Sequence, residues 1–148
     1  MTTLIENKKA RLRFEVLETF QAGLELHGYE VKSIRAKLGS FEGSRVIVRG
    51  GEAFIVGMTI PPFQIANAPK TYDPERPRKL LLKRSEIVEL LEAEAKKGLT
   101  LVPLEMYNAG RYLKVRVAIV RGKGKADKRE DMKRLEAKKE ADRAMRQK

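Results

Sequence analysis

A nucleophilic site in this chain would have to be assembled from Ser33, Ser40, Ser44 or Ser85, with His27, the one histidine, as base. No nucleophile elbow surrounds any of these serines, and the pattern of nucleophile, base and orienting group finds no third member. Cysteine is absent, which excludes disulfides, thiolate metal ligation and a thiol nucleophile, and a lone histidine supplies no set for a His-based zinc site. Glu15, Glu18, Glu25 and Glu30 are candidates for paired acid/base work. Glu15, however, falls out of phase with apolar Phe14 and Val16, so it reads as part of a solvated strand face. Gly122-Lys123-Gly124-Lys125 resembles a phosphate loop but lacks its spacing and precedes no core helix. The residues point to a non-enzyme without metal or cofactor.

The cations are the stronger lead. Lys and Arg number 32 against 20 Asp and Glu, giving +12 and an isoelectric point near 10. Such a balance favours a polyanionic partner: RNA, DNA, a ribosome or an anionic membrane surface. Arg76, Arg78, Lys79, Lys83 and Arg84 surround Leu80-Leu81-Leu82, which would plant an apolar strand in the core and leave cations beside it. Each cation set on a phosphate releases counterions, so several together bind strongly and salt-dependently; a solvated charge run remains the other reading. Tyr29, Phe41, Phe63, Tyr72, Tyr107 and Tyr112 could stack unpaired bases, with Phe63 and Tyr72 favoured because they lie in a proline-rich loop.

These residues need elements to position them. Alternation from Arg13 to Phe20 predicts a strand, and Gly23 to Leu26 a second one after a break at Gln21-Ala22. Residues 29–38 predict a short helix. Two β-branched runs around Gly50-Gly51 predict a hairpin, the second continuing through 57–60. Five prolines make 61–78 a long loop, and long loops are often functional. Next come a strand over 78–83, a helix capped by Ser85 and ending at Gly98, and a closing hairpin turning at Asn108-Ala109-Gly110. The sum is about six short, mostly antiparallel strands with two or three helices, which fits a closed OB-type barrel.

After Gly122 the composition changes. Residues 121–148 hold 12 cations and 6 carboxylates with little that is apolar, so residues 1–122 form the domain and 123–148 a basic tail, disordered alone and helical when bound. The tail lacks the bulky apolar face a membrane surface would need, and no run approaches spanning length. The N-terminus offers no apolar signal sequence, which places the protein in the cytoplasm.

Four motifs in order, AGLELHGYEVKSIR (22–35), DPERPRKLLLKRSEI (73–87), GLTLVPLEMY (98–107) and RGKGKADKRED (121–131), resemble the small protein B family, the SsrA-binding proteins of bacterial trans-translation. The resemblance implies an OB-fold that binds the tRNA-like domain of transfer-messenger RNA, and a tail that enters the decoding centre and vacant mRNA channel of a stalled ribosome. It implies RNA-facing roles for Gly23, Glu30, Val31, Lys32, Ser33, Arg35, Leu81, Lys83 and Lys114, joined by Arg78 and Lys79 from the basic run. Asp127, Lys128 and Arg129 match the motif expected near the decoding nucleotides, with Lys123, Lys125, Lys133 and Arg134 as further ribosomal contacts and Ala144 and Met145 as a short apolar face. Gln21 stands where the family usually has an RNA-binding glutamate, so an amide would make that contact. Gly124 replaces a usual lysine, and Ala126 stands where some members carry a ring able to stack. The implied partners are transfer-messenger RNA and the ribosome, and indirectly alanyl-tRNA synthetase and elongation factor Tu; the chain itself is expected to be a monomer. A constitutive ribosomal protein and a non-specific single-strand binder are the rival readings.

Overall fold

The computed structural model describes residues 2–64, 66, 68–122, 134, 136–141 and 143. Its elements are β1 (Thr2–Glu6), α1 (Lys8–Arg13), β2 (Phe14–Leu24), α2 (Gly28–Arg35), β3 (Arg45–Arg49), β4 (Glu52–Val56), β5 (Arg78–Leu81), α3 (Arg84–Ala95), β6 (Leu99–Ala109) and β7 (Tyr112–Gly122). The seven strands form one antiparallel sheet in the order β1-β6-β7-β2-β5-β4-β3.

The mainly β architecture with flanking helices agrees with the sequence reading, but the ladder is open where a closed barrel was expected. Strands β1 and β3 are its hydrogen-bonding edges. The sheet curls until β3 and α3 lie against β6. Across that seam α3 takes the place of a ladder: Glu94 Oε2 accepts from the Val48 N–H at 2.9 Å and Glu94 Oε1 pairs with Arg49. Apolar residues from both sides of the seam, Val46 and Val48 of β3, Leu101 and Met106 of β6, and Leu90 of α3, share one core.

Two elements carry no signal in the sequence pattern. Strand β1 is too short for alternation to show, and it owes its form to pairing with β6. Helix α1 starts at Asn7, whose Oδ1 accepts from the Ala10 N–H at 3.2 Å. The same residue donates to β6 at Pro103 O and Leu104 O, both at 2.8 Å, beside the register irregularity that lets a proline sit inside a strand. Helix α1 thereby covers one end of the outer face of β6 and β7, where Ala10 packs with Val102, Leu104, Ala118 and Val120.

Other boundaries shift. Strand β2 runs unbroken through Gln21-Ala22, because Phe20 and Ala22 continue the inward alternation; the irregularity falls between Val16 and Glu18 instead. Helix α2 stops at Arg35, since Lys37 adopts a left-handed φ of 61° and the Leu38 N–H returns to Ser33 O. Helix α3 is capped at Lys83 rather than Ser85, with Glu86 Oε1 accepting the Lys83 N–H at 3.0 Å. The Gly50-Gly51 hairpin forms as expected, with φ of 61° and 76°. Its second strand ends at Val56, because Gly57 turns the chain with φ +79°, and Thr59 bridges back to Ser40.

Arg134, residues 136–141 and Arg143 are helical and exposed, where composition alone implies a coil. Alanines, Glu136 three residues before Lys139 and Glu140 three before Arg143 favour a helix without any core contact. Among the described residues, no helix is long and apolar enough to cross a membrane.

Candidate functional site

Strand parity divides the candidate residues. Register sets Gly23 of β2 between Lys114 of β7 and Leu81 of β5, so these three form one row across the sheet. One step along, Gln21 pairs with Arg116, and two residues back from Leu81 lies Lys79 opposite Phe54. All of these share the face opposite the core, which takes Phe20, Ala22, Leu80, Val115 and Val117. Glycine at position 23 matters by what it permits: a Cβ there would stand 3.2 Å from Leu81 Cβ and 3.3 Å from its Cδ1. The bare backbone lets Leu81 lie across the row while remaining half exposed.

Beyond this row the surface sinks into a cleft of about 740 Å³, lined by Gln21, Gly23, Lys79, Leu81, Lys83 and Lys114 together with Gly51, Glu52, Leu80, Leu82, Glu86 and Ile87. Half of the predicted RNA-facing residues meet there. Their charges differ in availability. Lys79 holds Glu52 at 2.9 Å, and that hydrogen bond and charge raise its pKa. Arg116 holds Glu105 at 2.8 Å and lies over the Tyr107 ring at 5.6 Å from its centroid. Among the described residues Lys83 and Lys114 make no ion pair, so their ammonium groups can meet an incoming phosphate without breaking a contact. Gln21 Nε2 donates to the Tyr107 hydroxyl, which leaves its amide oxygen for another donor. Parity also identifies Arg116, which the sequence reading missed although it lies two residues from Lys114 on one strand.

Burial runs against three expectations, one of them by the same parity. Arg78 neighbours Lys79 in β5 and therefore faces inward, opposite Ile55; it is fully buried. Glu30 and Ser33 are fully buried too. None of the three presents a side chain at the surface. Glu30 instead anchors a lock: its Oε2 accepts from Arg78 Nε at 2.8 Å and Arg76 Nε at 3.2 Å, and its Oε1 accepts from the His27 N–H at 2.8 Å and from Arg76 Nη2. Arg78 also donates to Met58 O at 2.7 Å and Pro74 O at 2.8 Å. The Tyr72 hydroxyl accepts from Arg78 Nη2 at 3.0 Å and has Glu30 Oε2 at 3.0 Å and Ile60 O at 2.8 Å within reach of its proton. Burial pushes the Glu30 carboxyl up, but the bonds from Arg76, His27 and Arg78, with the Arg78 charge, overcome it and hold the pKa at about 2. Burial and the Glu30 carboxylate push Tyr72 up to about 12. This cluster ties α2, Met58, Ile60, Tyr72, Pro74 and Arg76 to the root of β5.

Helix α2 thus presents a different set outward. Lys32 and Arg35 are exposed and Val31 is half-buried. Arg35 donates to Arg111 O at 2.9 Å, pinning the β6–β7 turn. Ser33 Oγ is bonded to Tyr29 O and Pro61 O. Of the aromatic candidates, Phe41 and Tyr107 are buried, Tyr29 and Tyr72 half-buried, and Phe63 and Tyr112 exposed. Glu15, a candidate acid, is exposed and pairs with Arg121 at 2.7 Å. In the tail, Arg134 is helical and exposed. Lys123, Lys125, Asp127, Lys128, Arg129, Lys133, Ala144 and Met145 lie outside the described residues.

A family model described as "SmpB protein" matches residues 4–147. The SsrA-binding protein of Gloeobacter violaceus is 46% identical over 143 residues, covering 97% of this chain and 93% of that protein. The SsrA-binding protein of Thermosipho africanus is 41% identical over 137 residues, covering 92% and 91% respectively. A chain solved in a structure described as "tmRNA-SmpB: a journey to the center of the bacterial ribosome" superposes with a TM-score of 0.69 at 41% identity, covering 87% of this chain and 94% of that one.

Proposed function

As this chain belongs to the SmpB protein family, we propose that the cleft beside the Lys114–Gly23–Leu81 row is where it holds the tRNA-like domain of transfer-messenger RNA. The protein is an RNA-binding adaptor of trans-translation: it binds transfer-messenger RNA and acts with it on the ribosome, and the catalysis belongs to its partners. One observation carries the placement. Lys83 and Lys114, unengaged by any carboxylate among the described residues, flank a glycine-bared stretch of backbone on the outer face, away from the end that α1 covers. Cations so placed suit a folded phosphate backbone, and Gln21, with its amide oxygen available, suits a base or sugar edge.

Residues 1–122 form the RNA-binding unit, and the curled sheet is an OB-type barrel closed by α3 packing instead of by a ladder. Residues 123–148 form the part that enters the decoding centre and the empty mRNA channel, with Asp127, Lys128 and Arg129 near the decoding nucleotides. Alanyl-tRNA synthetase and elongation factor Tu join through the charged RNA, and the protein works as a cytoplasmic monomer. The test compares the full chain with a chain lacking residues 123–148. Truncation should leave affinity for the tRNA-like domain nearly intact and abolish peptide tagging; loss of RNA affinity on truncation would overturn this division of labour.

A further inference from the structure

Phe63 and Lys32 lie outside the cleft, yet they border one space. With Gly28, Tyr29 and Gln64 they line a separate cavity of about 220 Å³, at the start of α2. Its aromatic wall is fixed. The Tyr29 ring stacks on His27 at 5.3 Å between centroids and meets Tyr72 edge-on at 4.9 Å, and the Tyr72 hydroxyl is held by the buried Arg78. The opposing ring is presented, not stored: Phe63 is 44% exposed and follows Pro61-Pro62, whose rings restrict the backbone. Ser33, buried in α2, ties down that stalk by donating to Pro61 O at 2.5 Å. A solvent-facing phenylalanine on a proline stalk, sharing a cavity with a second ring and with a lysine that makes no ion pair among the described residues, is not part of the core.

Resting on the RNA-binding function, we infer that this cavity is a stacking subsite for one unpaired base of the transfer-messenger RNA tRNA-like domain. Phe63 and Tyr29 contact the base, and Lys32 reaches the adjoining phosphate. A planar base matches two aromatic groups and a single cation, whereas a duplex cannot enter a space this small. The location fits the same RNA that occupies the cleft: β2 ends at Leu24, the Glu25 N–H bonds to Lys79 O beside the cleft, and α2 opens three residues later. Ser33, Tyr72 and Glu30 are positioning residues that hold the stalk and the ring.

Affinity of the full chain for the isolated tRNA-like domain, titrated over salt, tests this. Phe63→Ala should bind about tenfold more weakly with an unchanged dependence of log affinity on log salt, because stacking releases no counterions. Phe63→Trp should bind as well as the parent, and Lys32→Ala should lower the salt slope by about one phosphate contact. Phe63→Ala binding within twofold of the parent would overturn the inference, as would equal losses for Phe63→Ala and Phe63→Trp. A loss confined to small-subunit binding would also overturn it, assigning the ring to ribosomal RNA. Failure of the underlying RNA placement looks different: Lys83→Ala and Lys114→Ala would then leave the slope untouched as well.

Discussion

Replacing Glu30 by Gln keeps the shape of the side chain and removes its charge, leaving Arg78 ionised where both side chains are fully shielded from water. Two estimates of the cost converge. Depression of the Glu30 pKa from an ordinary 4.5 to about 2 is equivalent to about 3 kcal/mol, taking about 1.4 kcal/mol per pH unit. Removing one partner of a buried ion pair typically costs about 3–5 kcal/mol. For a domain of this size that is a fall in Tm of about 12 °C. The pH dependence has a definite sign. A carboxylate whose folded pKa is depressed stabilises fully above its unfolded value and loses that contribution as pH falls through the folded one. The gap between the parent and Glu30→Gln should therefore be constant above about pH 5 and shrink toward zero between 4.5 and about 2, since a protonated glutamate and a glutamine are near equivalents. Urea unfolding followed by far-UV circular dichroism at pH 7, 4 and 2.5 measures this. A gap under about 1 kcal/mol at pH 7, or one that does not change with pH, would refute the buried-lock account.

Tyr72→Phe removes the hydroxyl that serves Arg78 and Ile60 O, and should lower stability by about 1–3 kcal/mol in thermal unfolding without altering the salt slope of RNA binding. Gly23→Ala puts a methyl group 3.2 Å from Leu81 Cβ, so Leu81 must shift; filter binding should show weaker RNA affinity, while the Tm stays within a few degrees of the parent. Lys83→Ala and Lys114→Ala should each reduce the salt slope by about 0.7–0.9 if each ammonium neutralises one phosphate, with the fold unchanged by circular dichroism.

The fold was legible where a local period determines it. Strand β7 alternates from Leu113 to Val117 before four residues in a row are buried, α3 forms where Ile87, Leu90, Leu91 and Ala95 share a helical period although Leu91 and Ala95 end up exposed and Ala93 is buried, and paired glycines announce the β3–β4 turn. It was illegible where a distant partner decides. The pairing of β1 depends on β6, about a hundred residues away, and the seam depends on Glu94 reaching Val48. The site divides in the same way. Lys79 and Lys83 stand out in the sequence as cations beside an apolar strand, whereas Leu81 and Lys114 come from the family resemblance; the fold brings all four to one cleft. Glu30, placed on the RNA surface by the family resemblance, and Arg78, placed there by the basic run, are both buried, because their mutual neutralisation spans 48 positions of chain. Alternation alone places Arg78 and Lys79 on opposite faces, so one of them had to turn inward.

That opposition links the lock to the cleft. In the four residues of β5, Arg78 and Leu80 point inward and Lys79 and Leu81 outward, so whatever fixes the inward pair fixes the outward one. Arg78 carries Glu30 and with it the start of α2; it also carries Pro74 O and Met58 O, the two ends of the segment that displays Phe63. One buried ion pair thereby sets the register of the sheet row, Lys32 and the proline stalk relative to each other. A substitution at Glu30 should accordingly weaken RNA binding without removing any RNA contact, and its deficit should follow the fraction unfolded as temperature rises. Lys114→Ala should show the converse, a deficit already complete in fully folded protein. Binding measured from 10 °C upward distinguishes the two: if Glu30→Gln well below its Tm is as defective as Lys114→Ala and shares its reduced salt slope, Glu30 acts on the RNA surface directly, and the lock is not its role.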